Sequence, residues 1–155
     1  MCPSPVNAGQ TAGVLSASVM VRIPFHDLDP AGFVWHGRYF KYFEMARSSL
    51  LDSVGYNYLE MRQSGCLWPI VDTQVRFLKP LTLHQEIRVS AHLTEWEYRL
   101  VFNYQVEDEQ GRLCARATTV QVPVDAATLE MQIGAPDLLL RRISERLAAE
   151  DSPGT

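Results

Sequence analysis

Two acids and two histidines fall within the thirteen residues from position 24 to position 36, which read PFHDLDPAGFVWH. The acids are Asp27 and Asp29, and Pro30 and Gly32 follow them as in a tight turn. A positioned carboxylate can act as a general base or as a nucleophile, whereas an acid in a turn can also simply bond its own backbone. The stretch therefore carries side chains suited to acid–base or nucleophilic chemistry, provided that the neighbouring elements hold them together.

One strand precedes this turn and one helix follows it. Residues 16–25 are rich in Val and Ile and partly alternate, which predicts a strand. Apolar side chains then recur at spacings of three and four from Phe40 to Val54, which predicts a helix over residues 38–54. Gly55 lies where a C′ glycine would end that helix. The turn thus joins the end of a strand to the start of a long helix.

The rest of the chain predicts four more strands and one more helix. We expect strands over residues 67–81, 86–96, 99–108 and 113–124, with a hairpin turn at Gly111, and an amphipathic helix over residues 136–149. Consecutive strands with short connections favour an antiparallel meander, and a lone long helix must bury its apolar stripe against that sheet. The predicted fold class is α+β, an antiparallel sheet wrapped around one long central helix. Its free edges favour a homodimer.

Composition and charge exclude several classes of function. The 155 residues suit one domain, which we place at residues 16–149, with flexible tails over residues 1–15 and 150–155. The net charge of −4 gives no basic field for nucleic acid. No apolar run is long enough for membrane insertion, and the first residues lack a secretory signal, so we expect a cytoplasmic protein. Neither the histidines nor the three distant cysteines have metal-ligand spacing, so we expect no metal and no cofactor.

The junction reads DLDPAGFVWHGRYFKYFEMAR, and in this form it resembles the hotdog-fold thioesterases. The nearest resemblance is to the 4-hydroxybenzoyl-CoA thioesterase family, including the Tol–Pal-associated acyl-CoA thioesterases, and it covers residues 17–124. The resemblance implies a hotdog fold and hydrolysis of an acyl thioester, either of CoA or of acyl carrier protein. It also implies a cytoplasmic homodimer or homotetramer.

The resemblance assigns roles to residues of the junction. It implies that Asp29 is catalytic, and that the helix start near His36 polarises the thioester carbonyl. It further implies a substrate-binding set, made up of Val34, Trp35, Gly37, Glu44 and Arg99. Three positions depart from patterns seen in some members. Phe25 replaces a Tyr, Arg38 replaces Asn or Ser, and the segment EWEYR has only Arg99 where others carry a basic cluster for the CoA nucleotide.

Thioester hydrolysis suits these residues. The leaving thiol has a pKa near that of Cys, about 8.5, so it departs as thiolate without a dedicated acid. The enzyme must supply an attacking oxygen and hold the oxyanion, and a helix N-terminus offers oriented N–H groups. Pro30 and Gly32 fit a turn that brings Asp29 over that N-terminus.

Other interpretations stay open. For Asp27 we favour a turn residue that bonds its own backbone. His36 could act through its side chain or through its backbone N–H group. Glu44 could pair with Arg47 three residues on. A hotdog hydratase or dehydratase, and a non-catalytic acyl-thioester binding protein, are the alternative functions.

Overall fold

The computed structural model describes residues 15–151, which form one strand, two helices, six further strands and a last helix. The strands are β1 (Ser16–Arg22), β2 (Cys66–Leu67), β3 (Ile70–Phe77), β4 (Glu86–Glu95), β5 (Leu100–Glu107), β6 (Leu113–Gln121) and β7 (Val124–Asp125). The helices are α1 (Tyr39–Ser53), α2 (Tyr58–Gln63) and α3 (Asp137–Asp151). The predicted tails lie outside the described residues, apart from Leu15, which is buried, and the end of α3.

Five strands form one antiparallel sheet in the order β1-β4-β5-β6-β3. The meander over four consecutive strands is wrong in one connection, because β3 pairs with β6 at the far edge and not with β4. The reason is that β4 already has β1 on one side and β5 on the other, so neither of its edges is free. The chain between β3 and β4 therefore runs from the β3 edge past β6 and β5 to β4, which lies next to the opposite edge strand, β1.

Helix α1 lies on the inner face of the sheet, against β1 and β4. It begins and ends within one residue of the predicted bounds, and Gly55 (φ 75°) follows its C-cap as expected. The buried stripe differs from the prediction, since Phe40 is 44% exposed and Tyr39 takes its place in the core. The stripe consists of Tyr39, Tyr42, Phe43, Ala46, Leu50 and Leu51.

The edge strand β3 is left largely uncovered. Ile70, Val71 and Phe77 are each between 45% and 57% exposed. In the described part of the chain, α1 packs mainly against β1 and β4 and meets β3 through the contact of Tyr39 with Phe77. An exposed apolar edge strand of this kind is a surface on which another chain can pack or pair.

Three elements were not predicted from the sequence. Helix α2 is only six residues long, and Asn57 caps it by accepting from the N–H of Leu59 and of Glu60. Strands β2 and β7 are two-residue strands that pair with each other away from the main sheet. Among residues 15–151, no helix is long and apolar enough to cross a membrane.

Candidate active site

The turn that carries Asp29 is closed by its own backbone. The N–H of Asp29 donates to the carbonyl of Phe33 at 2.7 Å, and the N–H of Gly32 donates to the carbonyl of Asp29 at 3.0 Å. Gly32 adopts φ 87°, a left-handed conformation that a side chain disfavours. Leu28 and Val34 then form a β-bridge across the base of the turn. The local sequence thus fixes the position of Asp29.

Backbone N–H groups orient the carboxylate of Asp29. Its Oδ1 accepts from the N–H of Ala31 at 2.9 Å and from the N–H of Phe33 at 3.2 Å. The hydrogen bonds of the described residues leave Oδ2 without a partner. One oxygen is therefore held in place while the other can meet a ligand.

The helix start lies beside this turn. Val34 donates its N–H to the carbonyl of Leu81, and Trp35 donates to the carbonyl of Asp27, each at 2.9 Å. A 3-10 turn over His36–Arg38 leads into α1, and its first backbone bond runs from Arg38 N–H to the Trp35 carbonyl. The N–H groups of His36 and Gly37 precede that bond, so they have no acceptor within the helix. Two donors at a helix N-terminus form a favourable place for an anion.

Packing against Trp35 explains why a glycine occupies position 37. A Cβ at this position would collide with the indole ring of Trp35. That ring also lies 5.1 Å from the ring of His36. The Trp35 side chain therefore packs over the helix start, and a side chain at position 37 would force the half-exposed Trp35 ring to move.

A cavity of about 310 Å³ brings these parts together. Its walls are formed by the Asp29 turn, the helix start and the end of β3 with the residues after it. The lining residues are Asp29, Phe33, Val34, His36, Tyr39, Phe77, Leu78, Lys79 and Pro80. Three of the residues singled out by sequence, Asp29, Val34 and His36, thus share one site.

Two residues singled out by sequence lie elsewhere. Glu44 lines a second, open cavity of about 460 Å³ with residues of α1 and β1. Arg47 donates to the Tyr104 hydroxyl at 3.3 Å. No Glu44–Arg47 ion pair is present among the described residues, so this alternative is not realised. Arg99 lies between β4 and β5, where it pairs with Glu95 at 3.0 Å and lines neither cavity.

Sequence reasoning missed the wall of the cavity formed by the end of β3 and the residues after it, which are Phe77, Leu78, Lys79 and Pro80. Phe77 packs edge-on against Tyr39 of α1, with 4.9 Å between ring centroids. Tyr39 is 3% exposed, and burial raises its pKa to about 12, so its phenol stays protonated. Lys79 follows β3 and donates to Asp108 at 3.1 Å. No local motif marks the residues at the end of β3, because they reach the cavity only through the pairing of β3 with β6.

The interpretation of Asp27 as a turn residue that bonds its own backbone is wrong. Its carboxylate is 1% exposed and accepts from the Tyr42 hydroxyl at 2.6 Å. Tyr42 lies one turn into the helix that follows, so the bond depends on how that helix packs against the turn and is not a local pattern. Among the described residues, no group of three His, Cys, Asp or Glu side chains lies close enough to hold a metal ion.

The sequence of this chain is similar to those of known proteins. Residues 23–147 match the family model described as the thioesterase-like superfamily. A Bacillus subtilis protein named "Putative acyl-CoA thioesterase YneP" is 26% identical over 106 residues, which span 68% of this chain and 77% of the relative.

Solved structures share the fold. A DHNA-CoA thioesterase from Staphylococcus aureus superposes with a TM-score of 0.75 at 19% identity, covering 90% of this chain and 96% of that one. A 4-hydroxybenzoyl-CoA thioesterase in complex with 4-hydroxybenzoyl-CoA gives 0.73 at 21% identity, covering 83% and 98%. These likenesses confirm the predicted hotdog fold.

Proposed function

This chain belongs to the thioesterase-like superfamily and is an acyl-thioester hydrolase, and we propose that Asp29 supplies its base or nucleophile. The observation that supports this role is the geometry of the carboxylate. Two backbone N–H groups hold Oδ1, while Oδ2 has no hydrogen-bond partner among the described residues, and Asp29 lines a cavity that extends to the helix start at His36. A hydrolase needs one positioned carboxylate for this reaction.

Each step of the reaction has a group in the site. As a base, Asp29 takes a proton from water while the water oxygen attacks the thioester carbonyl. As a nucleophile, Asp29 attacks the carbonyl itself, and water then hydrolyses the mixed anhydride. In both routes the N–H groups of His36 and Gly37 hold the oxyanion, the C–S bond breaks, and the thiolate leaves. The geometry supports both routes equally.

The walls of the cavity favour an apolar acyl group. Phe33, Val34, Tyr39, Phe77 and Leu78 surround the space beside Asp29. The Bacillus subtilis relative carries an acyl-CoA name, which supports acyl-CoA as the substrate class. Acyl carrier protein remains the alternative, because the one cation of the EWEYR segment, Arg99, is engaged by Glu95.

We propose that the enzyme works as a homodimer or a homotetramer. Strand β3 is an edge strand with exposed apolar side chains, and Phe77 and Leu78 both lie near that edge and line the cavity. A second copy at this edge would extend the sheet and close the cavity. Light scattering at micromolar concentration should give a dimer or a larger species, and a monomer of 17.5 kDa contradicts the proposal. The buried free thiols of Cys66 and Cys114 fit a reducing, cytoplasmic setting.

The test of the catalytic proposal is thiol release with identification of the second product. Purified protein is assayed against acyl-CoA, acyl-carrier-protein and acyl-pantetheine substrates, in parallel with Asp29→Asn. We expect free carboxylic acid and thiol from the wild-type protein and loss of turnover in the variant. Formation of an enoyl or hydroxyacyl thioester without thiol release would instead support the hydratase or dehydratase alternative. Full turnover by folded Asp29→Asn protein would exclude the proposed role of Asp29.

A further inference from the structure

Asp27 connects the catalytic turn to the helix start at two points. Its carbonyl oxygen accepts from the N–H of Trp35 at 2.9 Å. Its Oδ2 accepts from the hydroxyl of Tyr42 at 2.6 Å, a distance typical of a strong bond to a charged acceptor. One of these contacts precedes the N–H groups of His36 and Gly37, and the other follows them by about one and a half helical turns.

Burial makes this position energetically unfavourable for the carboxylate of Asp27. It is 1% exposed, and its Oδ1 has no hydrogen-bond partner among the described residues. The nearest nitrogens of basic side chains to Oδ1 are Arg38 Nε at 3.6 Å and His26 Nε2 at 3.7 Å, on side chains that are 45% and 70% exposed. Burying a carboxylate with incomplete hydrogen bonding is unfavourable, because the group loses its hydration without a full set of replacement bonds. A turn residue needed only for folding has no use for such a group.

Tyr42 keeps the phenolic proton that it donates to Asp27. Burial is the first cause that raises the pKa of Tyr42, and the bond to Asp27 is the second. The phenol therefore keeps its proton, and the Tyr42–Asp27 bond persists across the pH range of an enzyme assay. A small side chain could fill the same space without tying α1 to the turn.

We propose that Asp27 is a positioning residue, which fixes the N–H groups of His36 and Gly37 relative to the Asp29 carboxylate two residues further along the chain. It touches no reacting atom. Asp29 and the helix start lie on opposite sides of the turn. Asp27 belongs to the Asp29 side, and its backbone carbonyl and its side chain both bond to the helix side, at Trp35 and Tyr42. This inference rests on the proposed function of Asp29 and the helix start.

The test compares one variant that removes the Tyr42–Asp27 bond with one that weakens it. Tyr42→Phe removes the donor and keeps the ring, and Asp27→Asn keeps an acceptor and removes the charge. Because a misplacement of about 1 Å can cost on the order of 10²-fold in rate, we expect Tyr42→Phe to lower kcat roughly 10- to 100-fold with little change in KM. In the double variant the two effects should be less than additive, since both act through one bond.

A second buried tyrosine provides the matched control. The Tyr56 hydroxyl bonds with Ser64 at 2.9 Å and accepts from Trp68 Nε1 at 3.1 Å, and Tyr56 does not line the cavity. Tyr56→Phe should lower the melting temperature and leave kcat unchanged. Equal losses of kcat in Tyr42→Phe and Tyr56→Phe, or no loss in Tyr42→Phe, would overturn the positioning role.

Amide hydrogen exchange gives a readout that does not depend on turnover. Tyr42→Phe should speed exchange at residues 36–39 relative to wild-type protein, while Tyr56→Phe should not. Unchanged exchange there in Tyr42→Phe counts against the inference even if the enzyme is active. If wild-type protein hydrolyses no thioester, the proposed function fails, and the exchange result still decides whether Asp27 holds the helix start.

Discussion

Asp29 and Asp108 occupy the same kind of turn in two different connections of the chain. The sequences are DPAGF and DEQGR, with glycine three residues after each aspartate. In each turn, Oδ1 accepts from the N–H groups two and four residues later, at 2.9 and 3.2 Å for Asp29 and at 3.0 and 2.9 Å for Asp108. Gly32 and Gly111 both have positive φ, 87° and 76°. The two local structures are therefore closely alike.

The two turns differ in what meets the second carboxylate oxygen. Oδ2 of Asp108 pairs with Lys79 Nζ at 3.1 Å and with Arg112 Nε at 3.2 Å, and the side chain is fully buried. The N–H of Arg112 contributes most to lowering the pKa of Asp108 to about 2, and Lys79 and the N–H of Gln110 add to the effect. Oδ2 of Asp29 meets no cation of the described residues, and Asp29 lines the cavity. One aspartate is thus committed to holding a hairpin, and the other is available for chemistry.

The largest effect expected from this difference is on turnover. Asp29→Asn keeps the size of the side chain but cannot take a proton or attack, so kcat should fall by roughly 10²–10⁴-fold with little change in KM. Asp108→Asn should lower the melting temperature and change kcat far less. Steady-state kinetics and thermal unfolding of both variants decide this. Comparable losses of kcat in the two variants would mean that the two turns are not functionally distinct.

The two glycines offer a matched test of the turns themselves. A Cβ added at Gly32 or at Gly111 would meet no heavy atom of the described residues within 4 Å, so alanine adds only backbone strain, roughly 1–2 kcal/mol in each case. Gly32→Ala and Gly111→Ala should therefore lower the free energy of unfolding by similar amounts in urea titrations. Only Gly32→Ala should also lower kcat, because it displaces Asp29. A loss of kcat in Gly111→Ala would contradict this division.

Acid should weaken the Asp108 turn. The ordinary pKa of an aspartate is about 3.9, and that of folded Asp108 is about 2, so its contribution to stability is complete above about pH 4–5. The contribution is lost as the pH falls towards 2, because the unfolded chain binds the proton first. Unfolding curves between pH 5 and pH 2 should show a smaller difference between wild-type protein and Asp108→Asn at the acid end. A difference that stays constant over that range would show that the charge of Asp108 does not stabilise the fold.

The smallest effect concerns a third acid–cation pair. Arg99 is held by Glu95 much as Arg112 is held by Asp108, so it has little charge to offer a CoA nucleotide. We expect KM for an acyl-CoA to lie within about tenfold of that for the matching acyl-pantetheine, since exposed charges in water interact weakly. If the nucleotide lowers KM by orders of magnitude, basic residues outside the EWEYR segment must bind it.

Local patterns predicted much of the fold and part of the site. The α+β class, the bounds of α1, the C′ glycine and most strand positions follow from spacings within a few residues, and the structure confirms them. The junction motif also led to the hotdog fold and to thioester hydrolysis, both of which the comparisons confirm. The catalytic role of Asp29 stays a prediction.

Long-range packing decided what the patterns could not. The pairing of β3 with β6 depended on which strand edges were still free, and the exposure of Phe40 depended on how α1 lies across the sheet. The bond from Tyr42 to Asp27 required the helix to fold back over the turn. None of these is encoded within a short window of sequence.

The two aspartate turns show most clearly what the local sequence determines and what the tertiary structure determines. The sequence by itself determined both turns, because an aspartate with glycine three residues later satisfies its own backbone N–H groups locally. Only the tertiary structure decided that Lys79, carried in from the end of β3, neutralises Asp108 while no cation of the described residues neutralises Asp29. The physical reason is that a carboxylate's hydrogen bonds can be local, whereas its solvent exposure and its counter-charges depend on which distant elements pack beside it.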